Sequence, residues 1–157
     1  GKSREAFRKN LPLREILEEA ALLVRLKLEQ SQVMLTINKG SPDLVVFVDK
    51  GQIQQALLNL VLNALVAMPD GGQLTIEVME PTDRKVSVLV KDTGQGIPDA
   101  FKDRIFDSFL TARSDGTGLG LTISKRILRA HDGDLELLDS GPNGTVFRIS
   151  LQIAQQV

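Results

Sequence analysis

Hydrophobic positions in the first third of the chain change from helical to strand-like spacing. Residues 13–28 place apolar side chains at a period near 3.6, which predicts an amphipathic helix with an apolar face of Leu13, Ile16, Leu17, Ala20, Ala21, Leu23, Val24 and Leu28. Residues 33–37 and 44–48 are short β-branched runs, and the Lys-Gly-Ser-Pro-Asp segment between them is typical of a turn. We therefore expect one helix followed by two strands.

A second helix is predicted over residues 49–68. Asp49 is a good N-cap, and Gln52 three residues later completes a variant of the capping box. The helix should end at Pro-Asp-Gly-Gly, residues 69–72, because proline and paired glycines interrupt helices. Apolar residues lie almost all round it, so most of its surface should be buried.

The remaining pattern predicts two hairpins and a third helix. Strands over 74–79 and 85–91 are joined by a turn, and strands over 134–139 and 145–151 flank the turn 140–144. Between them lie a loop-rich stretch and a helix over 119–130. Because strands come in hairpin-like pairs, we expect an α/β two-layer sandwich. A mixed, mostly antiparallel sheet of about five strands would carry three helices on one face.

Composition narrows the function classes. The chain has 157 residues, 19 Lys+Arg against 20 Asp+Glu, one histidine and no cysteine. That length predicts one domain, and the balanced charge argues against nucleic acid as a partner. Thiolate chemistry, Cys-based metal sites and multi-histidine metal sites are excluded. No apolar run is long enough for a membrane span, so we expect a cytoplasmic domain without direct membrane contact.

Four amides form a stripe on the second predicted helix. At 100° per residue, Gln52, Gln55, Asn59 and Asn63 fall within a sector of about 80°. A buried unpaired amide costs about 1 to 3 kcal/mol, so the stripe must face water, a polar partner or a ligand. Carboxamide oxygens also suit Mg²⁺. Simple exposure to water is the alternative.

Two glycine-rich segments are further candidates for a site. Residues 92–98, Asp-Thr-Gly-Gln-Gly-Ile-Pro, follow a strand, where a carboxylate could accept a hydrogen bond from an exocyclic amine; an ordinary turn is the alternative. Residues 116–121, Gly-Thr-Gly-Leu-Gly-Leu, run into a helix and could bind phosphate through backbone N–H groups. Their spacing differs from the Rossmann fingerprint, and a glycine loop without a ligand is the alternative.

The order of these segments is more specific than any one of them. An Asn-Leu-x-x-Asn-Ala helix at 59–64, Asp-x-Gly-x-Gly at 92–96, a Phe-containing segment at 106–109 and the glycines at 116–121 together resemble the ATP-binding catalytic domain of sensor histidine kinases of two-component systems. Residues 63–72 further resemble the nitrogen-regulation-type branch. The resemblance implies the Bergerat fold of the GHKL ATPase superfamily.

The same resemblance implies ATP and Mg²⁺ as cofactors and assigns roles to residues. Asn63 would hold Mg²⁺ with Asn59 beside it, and Asp92 would accept from the adenine amino group. Arg113 would contact the γ-phosphate, since Val66 stands where many members carry Lys or Arg. Further ATP-binding positions are expected around the base and the phosphates: Gly94, Gly96, Ile97, Thr145, Gly116, Thr117, Gly118, Leu119, Gly120 and Leu121.

The resemblance also implies a lid and a missing partner domain. Residues 99–115 would form the lid stem, with Phe106 and Phe109 contacting that partner. Because Gly133 ends the helix just after His131, we expect His131 to be structural and the phosphoacceptor histidine to lie outside this chain. Residues 1–10 would be a linker from a missing dimerisation helix, and 11–157 the catalytic domain.

The expected activity is transfer of the γ-phosphoryl group from Mg²⁺·ATP to a histidine. The acceptor would lie on the dimerisation and histidine-phosphotransfer domain of the same protein, with a response regulator downstream. Related ATPases commonly place Glu at the position of Asn59; an amide takes no proton at neutral pH, which favours transfer over hydrolysis. The alternatives are an ATPase or anti-sigma-type serine kinase of the same fold, or a non-catalytic nucleotide-binding adaptor.

Overall fold

A computed structural model describes residues 7–107 and 118–154 of the chain. Seven strands and three α-helices fall within these ranges, with a 3₁₀ helix at Asp99–Arg104. In chain order they are β1 (Lys9–Pro12), α1 (Leu13–Gln30), β2 (Val33–Asn38), β3 (Val45–Val48), α2 (Lys50–Ala67), β4 (Gly72–Val78), β5 (Lys85–Asp92), α3 (Gly118–Ala130), β6 (Asp134–Gly141) and β7 (Gly144–Gln152). None of these helices combines the length and apolarity needed to cross a lipid bilayer.

The main sheet has five strands in the order β2-β4-β5-β7-β6. The β2 and β4 strands pair in parallel, and the other three pairings are antiparallel. Along β5 and β7 alternate residues are buried, which leaves one face of the sheet apolar and the other polar. Ion pairs lie along the polar face, Lys91 with Glu77 and Arg148 with Glu136. The predicted mixed, mostly antiparallel α/β sheet is confirmed.

The core lies between the apolar face of the sheet and the helices. One continuous cluster joins buried residues of all three helices to those of the strands. The α2 helix contributes most widely, because apolar residues surround much of it, as the sequence predicted. Its fully buried side chains include Ile53, Ala56, Leu57, Leu60, Val61 and Ala64.

The expected pairing of the first two predicted strands is wrong. The β2 strand pairs with β4, whereas β3 pairs antiparallel with β1 in a separate two-stranded sheet. Two β-branched runs beside a turn do not specify their partners, and β1 is too short and polar to be recognised from its pattern. The β1 strand begins at Lys9, within the segment predicted as a linker.

One residue of the predicted apolar face of α1 is exposed. Leu23 retains 64% of its accessible surface, and its neighbours Leu22 and Leu26 are also exposed. The six buried side chains of α1 occupy a narrower stripe, at Leu13, Ile16, Leu17, Ala20, Val24 and Leu28. Leu23 lies at the edge of that stripe, where none of the described strands or helices covers it. The hydrophobic period therefore identified the helix correctly but made its core face too wide.

Both later hairpins form as predicted. The β4–β5 turn contains Asp83 and Arg84, both with positive φ, which matches the twist of a two-residue hairpin loop. The β6–β7 turn closes between Gly141 and Gly144. A β-bulge in β6 lies between Leu137 and Asp139 and shifts which residues of that strand face the core.

Candidate functional site

The N-terminus of α2 is fixed by a cap and by the chain's only histidine. Asp49 accepts a hydrogen bond from the Gln52 backbone N–H, so the predicted N-cap is correct. In a complete capping box the Gln52 side chain would bond the Asp49 N–H, but that N–H donates to His131 Nε2 at 3.2 Å instead. His131 is 3% exposed, and its Nδ1 lies 2.9 Å from the Ile127 carbonyl. This buried position between α2 and the end of α3 is structural, as expected.

The amide stripe divides into two pairs with different surroundings. Gln52 and Gln55 line a groove of about 580 Å³ between α2 and α3, together with Ile123 and Arg126. Asn59 lies further along α2 and connects the two helices. Its Oδ1 accepts from Gln55 Nε2 at 2.9 Å, and its Nδ2 donates to the Gly120 carbonyl at 3.3 Å. Of the predicted phosphate loop, Gly120 is therefore brought directly against Asn59.

Asn63 is the most enclosed amide of the stripe. It is 6% exposed and lies one helical turn beyond Asn59. Within the described residues there is no group of three or more His, Cys, Asp or Glu side chains that could hold a metal ion. Two carboxamides fit a hard cation that takes most of its ligands from water and phosphate, which is how Mg²⁺ is commonly bound with nucleotides. They do not fit an all-protein metal cage.

The loop after β5 is fastened to the C-terminus of α2. Asp92 Oδ1 accepts the Gly94 N–H at 2.8 Å, which folds the loop back on its own carboxylate. Gln95 N–H then donates to the Ala67 carbonyl at 3.0 Å, one of the last acceptors of α2. A Cβ on Gly94 would lie 2.6 Å from that same carbonyl oxygen, so only glycine fits this approach. The Asp92 loop is therefore held by the same helix, α2, that carries the amides.

Thr145 and Ile97 meet through a residue that the sequence did not identify. Ile97 N–H donates to Ser140 Oγ at 2.8 Å, and Ser140 Oγ lies 2.8 Å from Thr145 Oγ1. Ser140 falls in the predicted turn, where a serine carries no signal of burial. The β-bulge shifts the alternation of buried and exposed residues in β6 and turns Ser140 inward. A prediction that assumes strict alternation along the strand therefore does not identify Ser140 as buried.

The start of the predicted lid stem is tied to the sheet by a lysine. Lys102 Nζ donates to the Ser140 carbonyl at 2.7 Å and pairs with Asp99 at 2.8 Å. The hydrogen bond from Lys102 lowers the pKa of Asp99 below its ordinary value. Both Asp99 and Lys102 belong to the 3₁₀ helix Asp99–Arg104, which therefore begins from a fixed position beside β6.

Phe106 lies against the core. Its ring meets the Phe147 ring edge-on at a centroid distance of 6.4 Å, and its carbonyl accepts from Thr122 Oγ1 at 2.9 Å. Leu121, on the first turns of α3, is buried nearby in the same apolar cluster. Phe106, which we expected to contact a partner domain, is thus partly buried against the core of this chain. Gly118 and Leu119 begin α3, whereas Phe109, Arg113, Gly116 and Thr117 lie outside the described residues.

Lys125 on α3 links Phe106 to the edge of the sheet. Its ammonium lies 4.7 Å from the centre of the Phe106 ring, donates to the Leu135 carbonyl at 2.7 Å and pairs with Asp134 at 2.9 Å. Partial burial raises the pKa of Asp134, but hydrogen bonds from Lys125, the Leu135 N–H and Arg129 outweigh it. The pKa of Asp134 is therefore held below its ordinary value of 3.8.

Comparison with known proteins identifies the family. The family described as Histidine kinase-, DNA gyrase B-, and HSP90-like ATPase matches residues 48–155. Sporulation kinase A of Bacillus subtilis (strain 168) is 32% identical over 145 residues, which are 92% of this chain and 24% of that protein. The chain thus spans about a quarter of that relative's length.

Solved structures share the fold over most of the chain. The nucleotide-free catalytic domain of histidine kinase ThkA matches with a TM-score of 0.82 and 32% identity, covering 92% of this chain and 95% of that one. Full-length ShkA in complex with AMPPNP matches with a TM-score of 0.82 and 25% identity, covering 96% and 32%. ThkA in complex with the response regulator protein TrrA matches with a TM-score of 0.79 and 30% identity, covering 94% and 42%. The chain therefore belongs to the family of histidine kinase-, DNA gyrase B- and HSP90-like ATPases and has the fold of a histidine kinase catalytic domain.

Proposed function

We propose that this chain is a cytoplasmic domain that binds Mg²⁺·ATP and transfers the γ-phosphoryl group to a histidine on a separate dimerisation domain of the same protein. A response regulator would be the next acceptor. The observation that carries the proposal is the arrangement along α2. The Asn59 side chain is hydrogen-bonded to Gly120. The Asp92 loop is hydrogen-bonded to Ala67, eight residues or about 12 Å further along the axis of α2.

This arrangement separates a base end from a phosphate end. Asp92, Gly94, Gly96 and Ile97 form the base end, where the carboxylate would accept from the adenine amino group. Asn59 lies against Gly120 at the start of α3, with Asn63 one helical turn further along α2. Residues Gly116 to Gly120 would supply backbone N–H groups to the phosphates there. AMPPNP is bound by ShkA, a protein of the same fold, which supports a nucleotide in this chain.

Mg²⁺ would be held by Asn63, with Asn59 beside it. Bound Mg²⁺ neutralises phosphate charge and orients the γ-phosphoryl group, and phosphoryl transfer depends mainly on such positioning. Asn59 already lies against Gly120 and Gln55, so its amide is positioned by the fold. Because an amide does not take a proton from water at neutral pH, the site favours transfer to a protein nucleophile over hydrolysis. Arg113 remains our candidate for a γ-phosphate contact.

Calorimetry on two substitutions tests the binding site. Asp92→Asn keeps an oxygen for the Gly94 N–H but replaces the carboxylate, so the fold should persist while ATP affinity falls at least about 100-fold. Asn63→Ala should abolish Mg²⁺-dependent ATP binding. Gln54→Ala is the matched control, because Gln54 is an α2 amide that bonds the Ile16 carbonyl and Glu19 instead. Affinity close to that of the unsubstituted protein in either site variant would refute the assignment.

Labelled phosphate tests the reaction. The protein is mixed with γ-labelled ATP, with and without a separate acceptor-helix domain, and the product is treated with acid. Label on the acceptor that is lost in acid is the expected result, since phosphohistidine is acid-labile. Steady release of phosphate by the chain alone would identify an ATPase, and acid-stable label would identify a serine kinase. Binding without any turnover in either mixture would identify an adaptor.

A further inference from the structure

Ser140 lies at a buried junction of three segments that surround the proposed base end. The residue is 7% exposed. The hydroxyl oxygen accepts the Ile97 N–H at 2.8 Å and shares a hydrogen bond with Thr145 Oγ1, also at 2.8 Å. Its backbone carbonyl accepts from Lys102 at 2.7 Å. One residue therefore connects the Asp92 loop, the β7 strand and the 3₁₀ helix.

Backbone segments approach each other closely at this junction. A Cβ on Gly96 would lie 2.2 Å from the Gly141 carbonyl oxygen, and a Cβ on Gly144 would lie 2.0 Å from that of Asp92. The β6–β7 turn and the loop after β5 thus pack backbone against backbone. The Ile97–Ser140 hydrogen bond joins these two segments, and the Ser140–Thr145 hydrogen bond joins the two strands that flank the turn.

We infer that Ser140 is a positioning residue for base recognition, holding Ile97 and Thr145 in register with Asp92. The inference rests on the proposed binding of ATP at this loop. Ser140 does not need to touch the nucleotide to act in this way. Without its hydroxyl, the Ile97 N–H and the Thr145 hydroxyl would be buried without this partner, and the loop would shift to satisfy them.

Base selectivity is the property that such a shift should change. The Asp92 carboxylate suits the amino group of adenine and repels the carbonyl oxygen that guanine carries at the same position. That discrimination depends on how closely the loop holds the base. Loosening the loop should therefore weaken ATP binding more than GTP binding, whereas a general loss of stability should not alter the ratio of the two affinities.

The test is calorimetry of the whole chain with ATP and with GTP, using Ser140→Ala. We expect ATP affinity to fall about 10- to 100-fold and the ATP-to-GTP ratio to fall with it. Ser124→Ala is the matched control. Ser124 is a fully buried serine that bonds the Ala56 carbonyl at 3.0 Å, so its loss should lower stability and leave the ratio unchanged.

Two further measurements keep the test decisive if Ser140→Ala folds poorly. Ser140→Cys retains a weaker hydrogen-bonding group and should give an intermediate loss of ATP affinity. In a cycle with Thr145→Val, the two substitutions should be less than additive, since both break the same hydrogen bond.

Three outcomes would overturn the inference. An unchanged ATP-to-GTP ratio in both Ser140 variants would do so, as would an equal change in Ser124→Ala. Failure of the unsubstituted protein to bind ATP would instead refute the proposed function, and this inference with it. Binding by the unsubstituted protein therefore separates the two failures.

Discussion

Gly94→Ala should disturb the base end of the site by a distance that the structure supplies. An added Cβ would lie 2.6 Å from the Ala67 carbonyl oxygen and 2.7 Å from the Ala67 Cβ. Neither atom can rotate away, because the oxygen belongs to the backbone and the Ala67 Cβ is bonded directly to the backbone. Restoring an ordinary contact near 3.4 Å requires a displacement of about 0.8 Å, which is 3.4 minus 2.6.

That displacement should affect both stability and binding. It stretches the 3.0 Å hydrogen bond from Gln95 to Ala67, which fastens the loop to α2. Overpacking of this kind costs about 1 to 3 kcal/mol of unfolding free energy. Because Asp92 lies at the base of the same loop, we also expect roughly 10- to 100-fold weaker ATP binding, comparable to the cost of an approximately 1 Å misplacement in an active site.

Gly141→Ala is the control for this prediction. It adds the same methyl group at a nearby turn, but no atom of the described residues lies within 4 Å of its Cβ. Denaturant unfolding and calorimetry with ATP should therefore separate the two variants. If Gly94→Ala matched Gly141→Ala in both unfolding free energy and ATP affinity, the close approach of the loop to α2 would be refuted.

Two other predictions follow from charges in the structure. The pKa of Asp134 is lowered in the folded state, so its contribution to stability is present above the unfolded value and is lost as pH falls through the folded one. Asp134→Asn should cost up to about 1 kcal/mol at pH 7, less than a buried pair because Asp134 is partly exposed. In unfolding measurements the difference from the unsubstituted protein should shrink below about pH 4; a constant difference would contradict the pairing. Val66→Lys adds a positive charge at a 37% exposed position on the same face of α2 as Asn59. It should tighten ATP binding several-fold at low salt, with the gain declining as salt rises, and Met34→Lys on β2 should not. Equal effects of the two lysines would argue against phosphates within reach of a lysine side chain at position 66.

Local sequence determined the elements and the turns that join them. Apolar periodicity located α1, the N-cap Asp49 and the Pro-Asp-Gly-Gly segment located α2, and the turn residues at 80–84 and 140–144 located both later hairpins. These features depend on side chains within a few residues of one another, which is why they can be read from the chain. The order of the short motifs also indicated the family, which the comparisons confirm.

Strand partners and the connections of the site required the tertiary structure. β3 pairs with β1 and β2 with β4, and the spacing of apolar residues does not distinguish these pairings from a local hairpin. The amide stripe appeared uniform in sequence, but only the packing of α3 on α2 places Asn59 against Gly120 and leaves Gln52 in a groove.

Ser140 shows most directly why contacts of the site could not be predicted from the sequence. A bulge in β6 turns its hydroxyl inward, toward Ile97 and Thr145. The bulge depends on how β6 pairs with β7, and the partners lie on separate segments that the main sheet brings together. The sequence by itself thus determined which elements form and which residue types are available. Only the folded chain decided which of those residues meet, because contacts between distant segments depend on sheet pairing and packing.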